Sequence, residues 1–330
     1  MSNGRYGLER DFGQERPPLW PKLAAVVILV VVAVIGIRVC RNLDRETIGQ
    51  RRALVEKKSQ PEPPPSPTVM VAQSVRPPQP LTDKALPDEL RTMIERADKL
   101  ALDADLAAAY LAYHAALLAD SNNTARSAIE GRIGAVALPL VVSRQPMDGK
   151  TPYTIQRGDS LSLIARRFGV TQEYLMRANG LADPNKIVTG RDLRTLDHPK
   201  FALEVVKATR TLTITLNGKF FKRYQVSVGR ADDTPTGTFK IRNRIVNPAW
   251  WRTDGTAVPY GDSENILGTR WLGLTATGDT ANVQGYGIHG TWDDSIIGRA
   301  ASAGCIRMRN SDVEELHLLL PLGTPVTIKP

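Results

Sequence analysis

Residues 285–312 read GYGIHGTWDDSIIGRAASAGCIRMRNSD. The stretch places His289 sixteen residues before Cys305, with six glycines and alanines between them. A thiol is a useful nucleophile near neutral pH only when a base or a positive field draws off its proton, and a histidine is the usual supplier. Cys305 closes the run Ser302-Ala303-Gly304-Cys305, whose small neighbours let a carbonyl approach and let successive backbone amides converge. Two such amides, with Gly304 and Cys305 as candidates, would form an oxyanion hole, commonly the largest single contribution to acyl-transfer rate. Arg307 follows on the same side of an extended segment, because side chains alternate along a strand. It would bind a substrate carboxylate bidentately, favour the thiolate, or brace the loop through a salt bridge. A cysteine in a β-rich domain is most often an inert small hydrophobe, so the reading rests on the whole set.

Around this stretch, residues 201–330 alternate apolar and polar side chains in short runs: FALEVVKA, TLTITLNG, FKRYQVSVG, GTFKIRNRIV and TPVTIK. Asn217-Gly218 is a strong hairpin signal, and such frequent short strands predict a β-rich sandwich or barrel-like domain. One helix is predicted near Asp312 to Leu320, where VEELHLLL has helical spacing; His317 on it reads as structural. His198 and His114 fall in a linker and in a helical segment. One cysteine and one histidine do not make a metal site, and no other ligands are spaced for one, so neither metal nor cofactor is expected.

Upstream, residues 153–196 predict a short strand, a Gly158-Asp159-Ser160 turn capping a helix from Leu161 to Phe168, a second helix near Thr171 to Ala178, and a closing strand after Gly190. This is a small βααβ unit, taken as 151–197. Before it, Leu90 to Leu138 is helical and alanine-rich, one helix pair plus a following helix, and residues 87–140 are expected to form an α-helical hairpin spacer. Residues 41–86 are a charged and proline-rich linker, semi-rigid in the polyproline II manner over 61–80. Leu19 to Cys40 is apolar, with Lys22 and Arg38 able to snorkel, and about 20 such residues span a bilayer of ~30 Å. No A-x-A cleavage site follows and Ile-Arg-Val before Cys40 is a poor lipoprotein box, so one uncleaved transmembrane signal anchor is expected over 19–40, behind a disordered tail at 1–18.

Composition limits the partners. The formal charge is +9, but residues 1–60 carry 11 basic and 6 acidic side chains and 201–330 carry 15 and 12. No basic stripe with interleaved aromatics emerges, which argues against nucleic acid. Of the two cysteines, Cys40 lies at the edge of the apolar segment and Cys305 far downstream, so no bridge between them is expected.

Two resemblances organise these readings. Tyr153-Thr-Ile155, Gly158-Asp-Ser-Leu161, Ile164-Ala165, Asn179-Gly-Leu181, Ile187 and Gly190 resemble a LysM domain, which implies binding to N-acetylglucosamine polymers, peptidoglycan above all. His289-Gly290, then Ser302, Gly304, Cys305, Ile306, Arg307, Met308 and Asn310, with Thr234-Pro-Thr-Gly-Thr-Phe239 upstream, resemble the bacterial L,D-transpeptidases of the YkuD family. Ala303 departs from the many members that carry a second histidine there. The resemblance implies Cys305 as nucleophile on a peptidoglycan stem and His289 as general acid and base. It also implies a Gly290 carbonyl orienting the imidazole, Gly304 as an oxyanion amide, and Arg307, Ser302 and Asn310 as substrate-contacting positions. A direct cross-link between two position-three residues would result. Ala109, Tyr113 and Ala116 resemble the packing residues of a tetratricopeptide repeat, which would offer a groove for a protein partner.

Chain order separates cysteine hydrolases: papain-like enzymes place cysteine before histidine, and sortases lack Ser-x-Gly-Cys. Two alternatives stay open, an L,D-carboxypeptidase in which water replaces the amine, and a non-catalytic wall-binding tether. Flanking Lys and Arg number four before the apolar segment and seven in 38–58, which by the positive-inside rule would leave the C-terminus in the cytoplasm. The wall chemistry overrides that rule, so the expected location is the bacterial cytoplasmic membrane, single-pass, with the C-terminal domains in the periplasm or wall space.

Overall fold

The computed structural model describes residues 86–230 and 233–330. The expected tail, membrane anchor and proline-rich tether lie outside the described residues, among which no helix is long and apolar enough to cross a membrane. The described chain opens with three helices, α1 (Asp88–Leu102), α2 (Leu106–Ala119) and α3 (Arg126–Val142), so the expected hairpin is a three-helix unit. Leu90, Ile94, Ala97 and Ala101 recur at helical spacing and give α1 one buried stripe. Ala109, Tyr113 and Ala116 of α2 are also buried. Asp105 caps α2 by accepting from the Ala108 amide, and Asp120 accepts from the amides of Thr124 and Ala125 ahead of α3. Asp98 ties the helices together, accepting from Tyr113 Oη at 2.6 Å and from Arg132 Nε at 2.8 Å.

The next unit runs β1 (Lys150–Thr154), α4 (Leu161–Phe168), α5 (Gln172–Asn179) and β2 (Asp192–Leu196), with β1 and β2 antiparallel. Ser160 and Thr171 cap its helices by accepting from Leu163 and Tyr174 amides. Asp159 and Asn179 spend their side chains internally: Asp159 accepts from Tyr153 Oη and the Gln156 amide, while Asn179 bonds the Leu175 and Arg194 backbone.

Beyond it lie β3 (Phe201–Val206), β4 (Thr211–Leu216), β5 (Lys219–Gln225), β6 (Val228–Gly229), β7 (Gly237–Val246), β8 (Trp250–Trp251), β9 (Ala257–Val258), β10 (Arg270–Ala276), β11 (Gly287–His289), β12 (Ala300–Ser302), β13 (Ile306–Arg307), α6 (Asn310–Leu319) and β14 (Pro325–Lys329). Eight strands join in the order β13-β11-β10-β7-β14-β3-β4-β5, so the expected sandwich is built from one continuous mixed sheet. Strict alternation of buried and half-buried residues in β3 and β4 puts Leu203, Val205, Leu212 and Ile214 into the core. Asn217 and Gly218, both at positive φ (51° and 78°), turn β4 into β5.

The units are fastened to one another. Glu130 of α3, buried, pairs with Arg126 on its own helix and with Arg223 of β5 at 2.5 Å. Lys150 Nζ donates to the carbonyls of Leu140, Ser143 and Gln145 at 2.6, 3.0 and 2.8 Å, satisfying the C-terminal end of α3. Thr171 Oγ1 donates to the Leu318 carbonyl, and Glu173 of α5 reaches Arg244 at 3.2 Å and buried His317 at 3.6 Å.

Candidate active site

Two rows of residues running across the sheet build the site. Trp271 pairs with Ile245 on one side and His289 on the other, and His289 pairs with Arg307. The neighbouring row is Asn243, Gly273 and Gly287, and Cys305, one residue before Ile306, stands opposite Gly287 in register. Ile288 and Ile306 pair across the same two strands and are almost wholly buried, so they take the core face. The alternation leaves His289, Arg307 and Cys305 on the other face. With two residues along the strand and one strand across, the Cα atoms of Cys305 and His289 are separated by roughly 8 Å, within reach of the two side chains.

The glycine row is what makes room. A Cβ on Gly287 would lie 2.6 Å from Trp271 Cζ2, and one on Gly273 would lie 2.0 Å from Asn243 Oδ1. The indole therefore lies over the glycines and stacks on the imidazole, with centroids 5.7 Å apart and planes 23° apart. Its Nε1 donates to Asn243 Oδ1 at 3.2 Å, and the same oxygen accepts from the Gly273 amide at 3.0 Å.

His289 is buried, and its Nδ1 donates to the Gly290 carbonyl at 2.7 Å. A carbonyl can only accept, so Nδ1 carries the proton and Nε2 keeps its lone pair. Burial pushes the imidazole down to about 4, the Gly290 and Leu267 backbone pulls it up, and Arg307 lowers it further. It is neutral at pH 7. Burial also raises the Cys305 thiol, against smaller opposing effects from the Gly287 amide and Arg307. The site thus rests as a neutral thiol and a neutral base, with the thiol donating to the Gly285 carbonyl at 3.7 Å.

The turn carrying Cys305 is closed from within. Ser302 Oγ donates to the Cys305 carbonyl at 2.6 Å and accepts from the Gly304 amide at 3.1 Å. Thr234 Oγ1 donates to the Gly304 carbonyl at 2.9 Å and itself accepts from the Gly229 amide at 2.7 Å. Gly304 has φ 115°, and a Cβ there would lie 2.5 Å from the Tyr286 ring.

These bonds give three of the expected site groups partners within the protein. The Gly304 amide, expected as an oxyanion donor, is spent on Ser302. Ser302, expected to contact substrate, is buried and is the staple of the turn. Asn310, also expected at the substrate, accepts from the Thr269 amide at 3.0 Å and wedges between Gly268 and Gly290, holding the loop that carries the orienting carbonyl. The Cys305 amide donates to no group among the described residues, which leaves it available to an oxyanion. Arg307 Nε is buried without a hydrogen-bond partner among the described residues, and its charge is felt at Cys305 and Arg230. Trp271 and Asn243 were not singled out in the sequence; neither lies near the Cys-His stretch, and only sheet register delivers them. Among the described residues no cluster of three or more His, Cys, Asp or Glu could hold a metal ion.

Residues 200–328 match the YkuD family, the L,D-transpeptidase catalytic domain, and residues 153–195 match the LysM domain family. A Bacillus subtilis (strain 168) protein named as the L,D-transpeptidase YkuD is 37% identical over 185 residues, covering 53% of this chain and 97% of that protein. YcfS of Escherichia coli (strain K12), also named as an L,D-transpeptidase, is 28% identical over 213 residues, covering 58% of this chain and 65% of its own. A solved structure, an L,D-transpeptidase from Mycobacterium smegmatis, aligns at 19% identity and a TM-score of 0.33 over 44% of this chain and 65% of that one.

Proposed function

This chain belongs to the YkuD family of L,D-transpeptidases, and on that premise we propose how its own residues cut and rejoin peptidoglycan stem peptides. It is a peptidoglycan L,D-transpeptidase with a LysM domain directing it to the wall. The observation that carries the mechanism is the pair of adjacent rows, which sets a thiol, a neutral imidazole and an unpaired guanidinium edge on one face.

Cys305 turns its Sγ–H from the Gly285 carbonyl toward His289 and attacks the carbonyl at stem position three, the proton passing to Nε2. The oxyanion is met by the Cys305 amide, and Arg307 takes a stem carboxylate. The imidazolium protonates the departing D-alanine amine, leaving a thioester. An amine of a second stem opens it, giving a link between two position-three residues; water in its place gives L,D-carboxypeptidase activity in the same site.

The test is mass spectrometry of the purified chain with a disaccharide tetrapeptide, with and without an acceptor stem. Cys305→Ala is expected to abolish both the enzyme adduct and the dimer while glycan retention through residues 153–196 persists; cross-linking at the wild-type rate in that variant would end the mechanism. We further propose that residues 19–40 anchor the protein in the cytoplasmic membrane with the enzyme outside it. The apolar run and the wall-directed domains support this reading, and a cytoplasmic signal from a C-terminal topology reporter would refute it. The helical unit, by the same reasoning, is open to a protein partner, with affinity capture dependent on residues 87–140 as its check.

A further inference from the structure

Past its end, β7 gives way to the β8–β9 ribbon, and the chain returns through Leu267, whose backbone touches the His289 ring. On that return lies Tyr260, its ring centroid 5.9 Å from that of Trp292 with planes tilted by 49°. Trp292 stands two residues beyond Gly290 and is 53% exposed; Trp251, on the ribbon, is 70% exposed. Large aromatic surface left in water beside a reaction centre marks a place where something binds.

Its position relative to the chemistry is set by the strand. Along β11 the order is Cys305 opposite Gly287, then His289, then the loop to Trp292. In chain order the aromatic pair is thus reached past His289, on the side away from Gly287 and Cys305. Arg307, which stands opposite His289 in register and acts on both the imidazole and the thiol, makes the end at Cys305 positive together with Arg230. On the aromatic side Asp293 follows Trp292 directly, its carboxylate held ionised by the Ser295 hydroxyl and amide and by the charge of Arg299, while Arg252 is occupied by Glu264 at 2.7 Å.

A transpeptidase must admit two different stems. A cationic amine is repelled by the guanidinium groups of Arg307 and Arg230, and its second proton must pass by way of His289, so an approach from the side of Trp292 and Asp293 suits it. Cations bind the faces of aromatic rings, tryptophan best. We infer that Tyr260 and Trp292, with Asp293 beside them, form the acceptor subsite and receive the incoming stem's side-chain amine as an alkylammonium. This rests on the transpeptidase reading and says which surface turns a hydrolase-like thioester toward an amine. At the rim the ammonium gives one proton to solvent. The neutral amine then forms the C–N bond as the C–S bond breaks, its second proton passing through His289 Nε2 to the departing Cys305 sulfur, so that the free thiol is regenerated.

The experiment uses the full chain in three readouts. Trp292→Ala and Tyr260→Ala are each expected to raise the acceptor KM by about 5- to 30-fold, the range of a partly desolvated cation–π contact. The rate of Cys305 adduct formation from a disaccharide tetrapeptide should stay within about twofold, and Trp292→Phe should keep most of the coupling. Choline, whose nitrogen has no proton and cannot open the thioester, should compete with acceptor but not donor and quench tryptophan fluorescence in wild type only. Its neutral isostere 3,3-dimethylbutan-1-ol should do so much more weakly. Equal effects of the two probes would reduce the patch to apolar surface, and competition by an N-acetylglucosamine disaccharide instead would make it a sugar platform; either overturns the inference. Equal slowing of adduct formation and aminolysis in Trp292→Ala would make that residue structural and also overturn it. Failure of wild type to form any adduct would sink the transpeptidase reading itself, whereas an adduct with unchanged partition between dimer and tripeptide in Trp292→Ala sinks only the subsite.

Discussion

The pH dependence of acylation follows from the burial of His289. The reactive resting form holds a neutral imidazole, and burial puts its proton affinity at about 4. At pH 5 a base with that affinity is roughly nine-tenths neutral, whereas an ordinary histidine near 6.5 would be only about 3% neutral. The rate of Cys305 adduct formation at subsaturating donor is thus expected to change by less than about 20% between pH 8 and pH 5, against a fall of roughly 30-fold for an unburied histidine. Donor carboxylates and amines titrate outside this window, so the profile reports the enzyme. Quenched-flow mass spectrometry of the adduct, with excess muropeptide at fixed ionic strength, gives the rate directly. Trp271→Ala supplies the internal control: stripping the stacked indole wets the imidazole, so an acid limb should appear near pH 6. A wild-type midpoint close to 6.5 would refute the neutral, desolvated base, and a rate climbing tenfold per pH unit through 7 and 8 would refute the neutral thiol, since the thiolate fraction would then be limiting.

Other consequences are measurable on stability. Unfolded histidines take a proton near 6.5 while buried His289 and His317 do so only near about 4, so the unfolded chain binds more protons in between and stability falls as pH drops through that window. Each contributes at most roughly 3 kcal/mol, and urea midpoints at pH 7, 5.5 and 4.5 should show the slope, with His289→Gln flattening it. Gly287→Ala sets a Cβ 2.6 Å from Trp271 Cζ2; overpacking should cost about 1–3 kcal/mol, and moving the indole off His289 should lower the acylation rate by about 100-fold. Ser302→Ala leaves the Gly304 amide and Cys305 carbonyl without their partner, so a loss of about 1–3 kcal/mol in chemical denaturation and slower acylation are expected. Lys150→Met removes the donor to three carbonyls at the end of α3, and a loss of about 2 kcal/mol, with no change in the chemistry at Cys305, should follow.

What could be read in advance was what is local. Period-two alternation over Phe201–Val206 and Thr211–Leu216 and the turn at Asn217-Gly218 need no knowledge of distant chain. Sheet order does: β14 lies between β3 and β7, and β13 beside β11, through pairings that no run of residues announces. The third helix shows in the sequence as a helix following the pair, although Gly131, Gly134 and Pro139 weaken its pattern and it is buried on several sides, including against β5. That Cys305, His289 and Arg307 would share one face was legible because one loop and two short strands carry them, whereas the Gly290 carbonyl came only with the family resemblance. The internal partners of Gly304, Ser302 and Asn310 were not legible, because a polar group beside a nucleophile can face the substrate or hold the backbone, and chain order does not say which neighbour it meets.

One cause, exclusion of water by Trp271 and the glycine row, explains why the site is uncharged at rest. Desolvation penalises thiolate and imidazolium together, so an ion pair there would lose hydration from both members. A neutral pair avoids that cost in the resting enzyme and moves the charge separation to the moment of attack, when a substrate carbonyl is present and the Cys305 amide can share the negative charge. Of the fixed charges, Arg307 pulls on the thiol less than burial pushes it, so with Arg230 beside it and Asp293 beyond the histidine its main work is on the substrates. Asn243 is the base of this arrangement: one oxygen holds both the indole and the Gly273 amide, so the glycine row that admits the indole and the ring that dries the imidazole are set by the same side chain.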